Sequence, residues 1–180
     1  TYALDEYTST PTLIPNADKV ELSFDAIAEA LYEHDQSLQE QLGDEFCYLW
    51  RPTLSANILR TLGTAVGPVG AQTGNRKMFT KDSLKAAKYL MNKANIAKEG
   101  RFALLPSEFL DQLMNDDDLK KRDASLELDM KNGVITRLYG FDIMERSDVL
   151  TYNNAGTPVA KLPDAVGAAT DNLAALIWQK

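Results

Sequence analysis

The sequence predicts a mixed α+β fold, and three stretches carry that expectation. Phe102-Ala103-Leu104-Leu105 is a short apolar run opened by Gly100-Arg101 and closed by Pro106. Punctuation at both ends of so short a run marks a buried strand. Phe109, Leu110, Leu113 and Met114 then recur at helical spacing, and Ser107 ahead of them can serve as the N-cap. Finally, Gly133-Val134-Ile135 leads to Gly140-Phe141-Asp142-Ile143. Val134, Thr136 and Leu138 point one way and Ile135 and Arg137 the other, as in a strand. Gly140 interrupts that strand, which suggests a bulge or bend. The expected core is therefore strands over 101–105 and 134–144 with helices over 81–94 and 107–115.

The remaining elements follow in chain order. Residues 1–22 hold Pro11 and Pro15 among Thr8, Ser9, Thr10 and Thr12. Proline lacks a backbone donor, so an extended arm or long hairpin loop is expected there. Such an arm buries too little of its own surface to order itself and is suited to lying on something else. Ser23 can cap a helix over 24–51, whose apolar residues Phe24, Ile27, Leu31, Leu38, Leu42, Phe46 and Leu49 keep helical spacing. Gly43 suggests a kink and Pro52 the end. A helix of that length spans about 40 Å and exceeds what so small a domain can cover.

Leu54, Ile58, Leu59 and Leu62 can continue helically after Pro52. Gly63, Gly67, Pro68, Gly70 and Gly74 then break any regular element. This glycine-rich stretch lacks the Gly-Lys-Ser/Thr ending of a phosphate-binding loop and opens no helix, so it reads as a flexible surface loop. Thr80 caps the next helix, with Asp82 in its first turn. Leu84, Ala87, Leu90, Met91 and Ala94 form its inner face, and Lys81, Lys85 and Lys88 a basic outer stripe. That stripe is either a phosphate contact or, as on most soluble helices, a solvated face. Leu126, Leu128 and Met130 alternate with charged residues and with Asn132-Gly133 read as a hairpin; a helix over 122–131 is the alternative. Residues 165–178 are small and apolar, ending as a helix or a buried strand.

Composition narrows the function. The chain has 180 residues with 26 acidic and 19 basic side chains, a formal net charge of −7. That balance argues against non-specific nucleic-acid binding by the whole surface. The single cysteine, Cys47, excludes an internal disulfide framework and a cysteine-rich zinc site, and fits a reducing compartment. The sequence holds no apolar run of about 18 residues, and no signal peptide is visible in it. Thr1-Tyr2-Ala3-Leu4 reads like the middle of a strand, and the apolar run near Trp178 stops at Lys180 without a polar tail. The chain is therefore expected to be a trimmed piece of a longer protein.

Residues able to do chemistry are few. His34 is the one histidine and falls mid-helix. Any Ser-His-Asp or Cys-His pair has to use it. Cys47 lies on the same helix about 20 Å away, so the two cannot act together if that helix is straight. Asp116-Asp117-Asp118 offers hard oxygen ligands but lacks the spacing and central glycine of a calcium loop. No carboxylate pair stands out. No catalytic, cofactor-binding or metal-ligating residue is expected.

Asn95-Ile96, Glu99-Gly100-Arg101, Leu104-Leu105-Pro106, Gly133-Val134-Ile135, Gly140-Phe141 and Arg146-Ser147, in that order, resemble the axial-domain core of tailed-phage and prophage major capsid proteins. That family often runs through a helix, a P-x-x-G-R turn, a strand ending in proline and a helix. A G-x-I-x-x-x-x-G-F-x-V-x-x-S stretch follows. Here Ala97 replaces the usual proline, and Ile143 holds the usual valine position beside Met144. The arm 1–22 and the long helix resemble the family's extended loop and spine helix. The likeness covers most of the chain and is strongest over 80–147.

The resemblance implies a Hong Kong 97-type capsid fold. Its parts would be 1–22 as the extended loop, 23–62 as the spine helix of the peripheral domain, and 63–180 as the axial-domain core. It implies a structural protein without catalysis or cofactor that self-assembles into an icosahedral shell around double-stranded DNA. Its partners would be other copies, scaffolding and portal proteins, and loosely the packaged DNA, with no membrane. It would be made in the bacterial host cytoplasm and located in the virion. An encapsulin-like cellular shell shares the fold and differs by a cargo-loading pocket. A small α/β enzyme needs polar residues clustered in a pocket.

Overall fold

The structure, a computed structural model, describes residues 25–61, 65–66, 76–120, 128–129, 134–135, 137–153, 155, 157–163, 165–168 and 171–180. The expected arm 1–22, the capping role of Ser23 and most of the glycine-rich loop lie outside them. The chain divides into two compact units, Thr1–Phe46 and Cys47–Lys180.

In the first unit the described residues form one element, most of helix α1 (Asp25–Trp50, 26 residues). It runs unbroken through Gly43, so the expected kink does not occur. Leu31, Tyr32, Leu42 and Phe46 on it are exposed.

The second unit begins with the last turn of α1 and is α+β. After Pro52 the chain makes one 3-10 turn, Ser55–Asn57, rather than the expected continued helix. Leu54 and Ile58 on either side hold extended backbone, and Ile58 turns inward to pack with the core. Strand β1 (Ala65–Val66) pairs antiparallel with β2 (Arg76–Lys77), so the glycine-rich loop joins two strands. Among the described residues the next helix is α2 (Lys81–Lys93). Thr80 caps α2 as expected: the Ser83 amide donates to the Thr80 carbonyl at 2.9 Å, and the Thr80 amide to Ser83 Oγ at 3.4 Å. The buried face is narrower than expected. Ser83, Leu84, Ala87 and Met91 are buried, Leu90 is half-buried, and Ala94 is exposed as the C-cap.

Strand β3 (Arg101–Pro106) follows, where the apolar run predicts it. It passes directly into α3 (Ser107–Met114). Here the expectation for Ser107 needs correction. Pro106 is the N-cap, with extended backbone, and Ser107 is the first helical residue. Its hydroxyl instead donates to the Arg146 carbonyl at 3.4 Å, tying the strand–helix junction to a neighbouring strand. A short helix α4 (Asp117–Lys120) comes next. Strand β4 (Leu128–Asp129) pairs antiparallel with β5 (Val134–Ile135), which favours the hairpin over the helix for this stretch.

The expected bent strand over 134–144 is in fact a reversal. Strand β6 (Arg137–Leu138) turns at Tyr139-Gly140 and returns as β7 (Phe141–Arg146), with Leu138 opposite Phe141. Tyr139 and Gly140 have φ of 52° and 89°. Two positive φ values in a two-residue loop are the signature of a type I′ turn, whose twist matches that of the strands. Strand β8 (Leu150–Tyr152) pairs with β9 (Asn172–Ala174), and β10 (Leu176–Gln179) joins the main sheet. The apolar C-terminal stretch is thus strand rather than helix.

The main sheet has the order β10-β3-β7-β6, with β3 and β7 parallel and the outer pairs antiparallel. Both faces are covered. Ala103 and Leu105 of β3, with Phe141 and Leu138, pack against Leu84 and Met91 of α2 and Phe109 and Leu113 of α3. Phe79 stacks on Phe109 with centroids 4.7 Å apart, and its amide donates to Gln112 Oε1 at 2.7 Å. On the opposite face Leu104 packs with Cys47, Val149, Leu150, Tyr152 and Leu176. The consecutive apolar residues of β3 are explained by this double coverage.

Arg101 opens β3 and is 3% exposed. Its Nε donates to the Ala97 carbonyl at 2.7 Å, and Nη2 to the Ile96 carbonyl at 2.7 Å and Asn92 Oδ1 at 2.9 Å. The guanidinium therefore knots the chain between α2 and β3, where Asn95 and Gly100 take φ of 56° and 65°.

Two expectations follow. A Cβ at Gly140 meets nothing within 4 Å, so Gly140→Ala carries only the backbone cost of positive φ, about 1 kcal/mol, read as a lower urea midpoint with unchanged slope. Arg101→Met leaves the acceptors of the α2–β3 turn without their buried donor and costs roughly 2–3 kcal/mol by the same measurement.

Candidate functional site

The residues capable of chemistry are dispersed into structural roles. His34 is half-buried on α1 in the first unit. Cys47 is 7% exposed in the second unit's core, within 3.8 Å of Arg146 Nη1. It packs as a small apolar residue, the ordinary fate of a buried thiol. The lysine stripe is partly consumed inside the fold. Lys81 Nζ lies 3.1 Å from Asp116 Oδ1, and both side chains are mostly buried. Lys85 pairs with Asp82 at 3.0 Å in solvent and lies 5.4 Å from the Tyr139 ring centroid. The stripe thus anchors α2 to the start of α4 and to the hairpin turn.

The acidic run is divided in the same way: Asp116 holds Lys81, and Asp117 begins α4. Among the described residues no group of three or more histidine, cysteine, aspartate or glutamate side chains is placed to hold a metal ion. A further buried ion pair, not foreseen from sequence, closes the loop before β9. Asp171, 4% exposed, accepts from Lys161 Nζ at 2.5 Å and from the Ala168 amide at 2.6 Å. Nine residues, most of them small or apolar, separate the pair in sequence, and no periodic signal links them.

What the second unit presents instead is apolar surface and a strand edge that pairs with no strand among the described residues. Trp50, Leu54, Leu59 and Met144 are exposed, at 62%, 67%, 45% and 42%. Trp50 meets Trp178 edge-on at 6.0 Å, and Trp178 stacks on Phe102 at 5.7 Å. A groove of about 1120 Å³ runs along β9 and β10, between the 50–61 segment and α2. Its floor includes Leu173, Ala175 and Ile177, all half-buried.

Strand β10 is the last strand of its sheet. The Lys180 amide donates to the Gly100 carbonyl at 2.9 Å, extending the ladder to β3. Hydrogen-bonded pairs alternate in an antiparallel ladder, so Leu176 and Trp178 also bond inward while the peptide groups of Ile177 and Gln179 face away from β3. Sequence reading identified an apolar stretch here but not its position at an edge.

Tyr152 lies in the groove wall. Burial pushes its hydroxyl above the ordinary 10.0, and the nearby Arg51 guanidinium partly opposes that shift. Arg51 itself stacks 3.5 Å from the Tyr48 ring centroid and donates to the Tyr48 carbonyl.

The second unit is thus α+β, with exposed apolar residues such as Trp50 and Leu54 and a sheet edge that pairs with no strand among the described residues. The chain matches the family of phage capsid proteins over residues 25–172 and belongs to that family. No curated protein and no solved structure matches it. The phage-capsid resemblance drawn from sequence therefore holds. The family role is structural, in the virion capsid and in contact with other capsid subunits. Among the described residues no helix is long and apolar enough to cross a membrane.

The raised Tyr152 hydroxyl has a pH consequence. Its neutral form is favoured by the fold, so the stability it contributes is full below pH 10.0 and is lost as pH rises through the higher folded value. Tyr152→Phe is expected to flatten the loss of thermal stability as pH rises above 10.0, followed by circular dichroism.

Proposed function

We propose that the chain is a major capsid subunit of Hong Kong 97 type that assembles with its own copies into an icosahedral shell around double-stranded DNA. The observation that carries this is the order of elements inside the span matched by the family. A long helix, Asp25–Trp50, precedes an α/β unit in which a strand ending in Pro106 runs straight into a helix. The hairpin that turns at Tyr139-Gly140 then returns as Phe141–Arg146 beside that strand.

In this reading residues 1–22 are the extended loop, 23–62 the spine helix of the peripheral domain and 63–180 the axial-domain core. Scaffolding and portal proteins are the other partners, and the packaged DNA touches the shell loosely, in keeping with the net charge of −7. The protein is made in the bacterial cytoplasm and ends in the virion. It performs no catalysis and uses no cofactor. The exposed apolar residues support the reading, because surface of this kind is normally covered by a partner.

Negative-stain microscopy and light scattering on the gene product that carries this chain, expressed in bacteria, test the proposal. Closed particles of uniform size are expected. A product that stays monomeric under all assembly conditions overturns it.

A further inference from the structure

We propose that the open edge of β10 and the groove beside it receive an extended strand from a second copy of this chain, drawn from residues 2–7. The inference rests on the capsid reading and names the surface through which one copy holds the next.

Four observations carry it. First, the peptide groups of Ile177 and Gln179 face away from β3, and among the described residues no strand pairs with that edge. An unpaired edge is a template for an added strand. Second, the edge opens on a groove of about 1120 Å³. Side chains of an added strand on one face would rest on Ala175, Ile177 and Leu173, which already border the core. Third, the charged side chains lining the groove are mostly cationic: Arg60, Lys77 and Lys180 against Glu108. Lys77 and Lys180 are exposed.

Fourth, the chain itself holds a segment of matching chemistry. Tyr2-Ala3-Leu4-Asp5-Glu6-Tyr7 reads as strand, carries two adjacent carboxylates and contains no proline. Every one of its peptide groups can therefore join a ladder. Leu13-Ile14, lying between Pro11 and Pro15, cannot pair continuously. Asp5 and Glu6 complement Lys77 and Lys180, while Tyr2 and Leu4 fall on one side of the strand.

The geometry yields a selective variant. Gln179→Pro removes an outward donor and leaves the inward bonds of Leu176, Trp178 and Lys180 in place, since edge strands tolerate proline where the amide faces out. The experiment uses two tagged single variants of the chain, Asp5→Cys and Gln179→Cys, with Cys47→Ala in both. They are mixed under mild oxidation and resolved by size. A disulfide between differently tagged copies is expected. It should fall at least tenfold when Ile177→Pro is added to the Gln179→Cys copy, and when Asp5→Cys is combined with Glu6→Lys.

Gln179→Pro in the otherwise unaltered chain should lower association in light scattering while leaving the circular dichroism melt unchanged. Cross-links that form only within a double variant and not in the mixture overturn the proposal, as does association indifferent to Gln179→Pro. Closed particles without the cross-link defeat this surface and leave the capsid reading standing. The cross-link without closed particles does the reverse.

Discussion

The larger unit depends on the ladder between β3 and β7, two parallel strands that hold five register pairs from Phe102–Asp142 to Pro106–Arg146. Parallel strands need both faces covered, because the connection that returns the chain to the same end must pass over the sheet. Here that connection is α3, α4 and the β4–β5 hairpin. Its helices supply one cover, with Phe109 and Leu113 over Ala103 and Leu105. The other cover comes from distant sequence: the last turn of α1, Ile58, and the β8–β9 pair. Residues from both ends of the unit thus converge on a strand that the sequence shows as a run of four apolar residues.

The entry to β3 is set by a buried cation. An arginine at 3% exposure is costly unless its donors are met. Arg101 meets two backbone carbonyls and one side-chain amide, all within nine residues before it. The turn and the arginine therefore fix each other. Gly100 at φ 65° lets the chain swing from the turn into the strand. The glycine–arginine pair that drew attention in the sequence is a mechanical joint between α2 and the sheet.

The surface has the opposite character. Trp50, Leu54 and Met144 stay substantially exposed, and β10 ends the sheet without a partner among the described residues. A monomeric enzyme normally hides such features. In a subunit of a capsid such surface is open to neighbours, while polar residues inside the fold form ties such as Lys81–Asp116 and Lys161–Asp171.

Local sequence determined the elements whose signals are local. The apolar run before Pro106, the helical spacing after Ser107, the Thr80 cap and the long helix ending before Pro52 all fall where periodicity and punctuation put them. Tertiary structure decided what periodicity cannot encode. Gly140 marks a break whether the strand bends or reverses, and only pairing of Leu138 with Phe141 makes it a turn. Ser107 can cap a helix in isolation, yet Pro106 occupies that position because strand and helix are joined without a linker. The bond from Arg101 to Asn92, the Lys161–Asp171 pair and the outward edge of β10 depend on which strands become neighbours. That choice follows from burying both faces of β3, and a linear reading of the chain contains no signal for it.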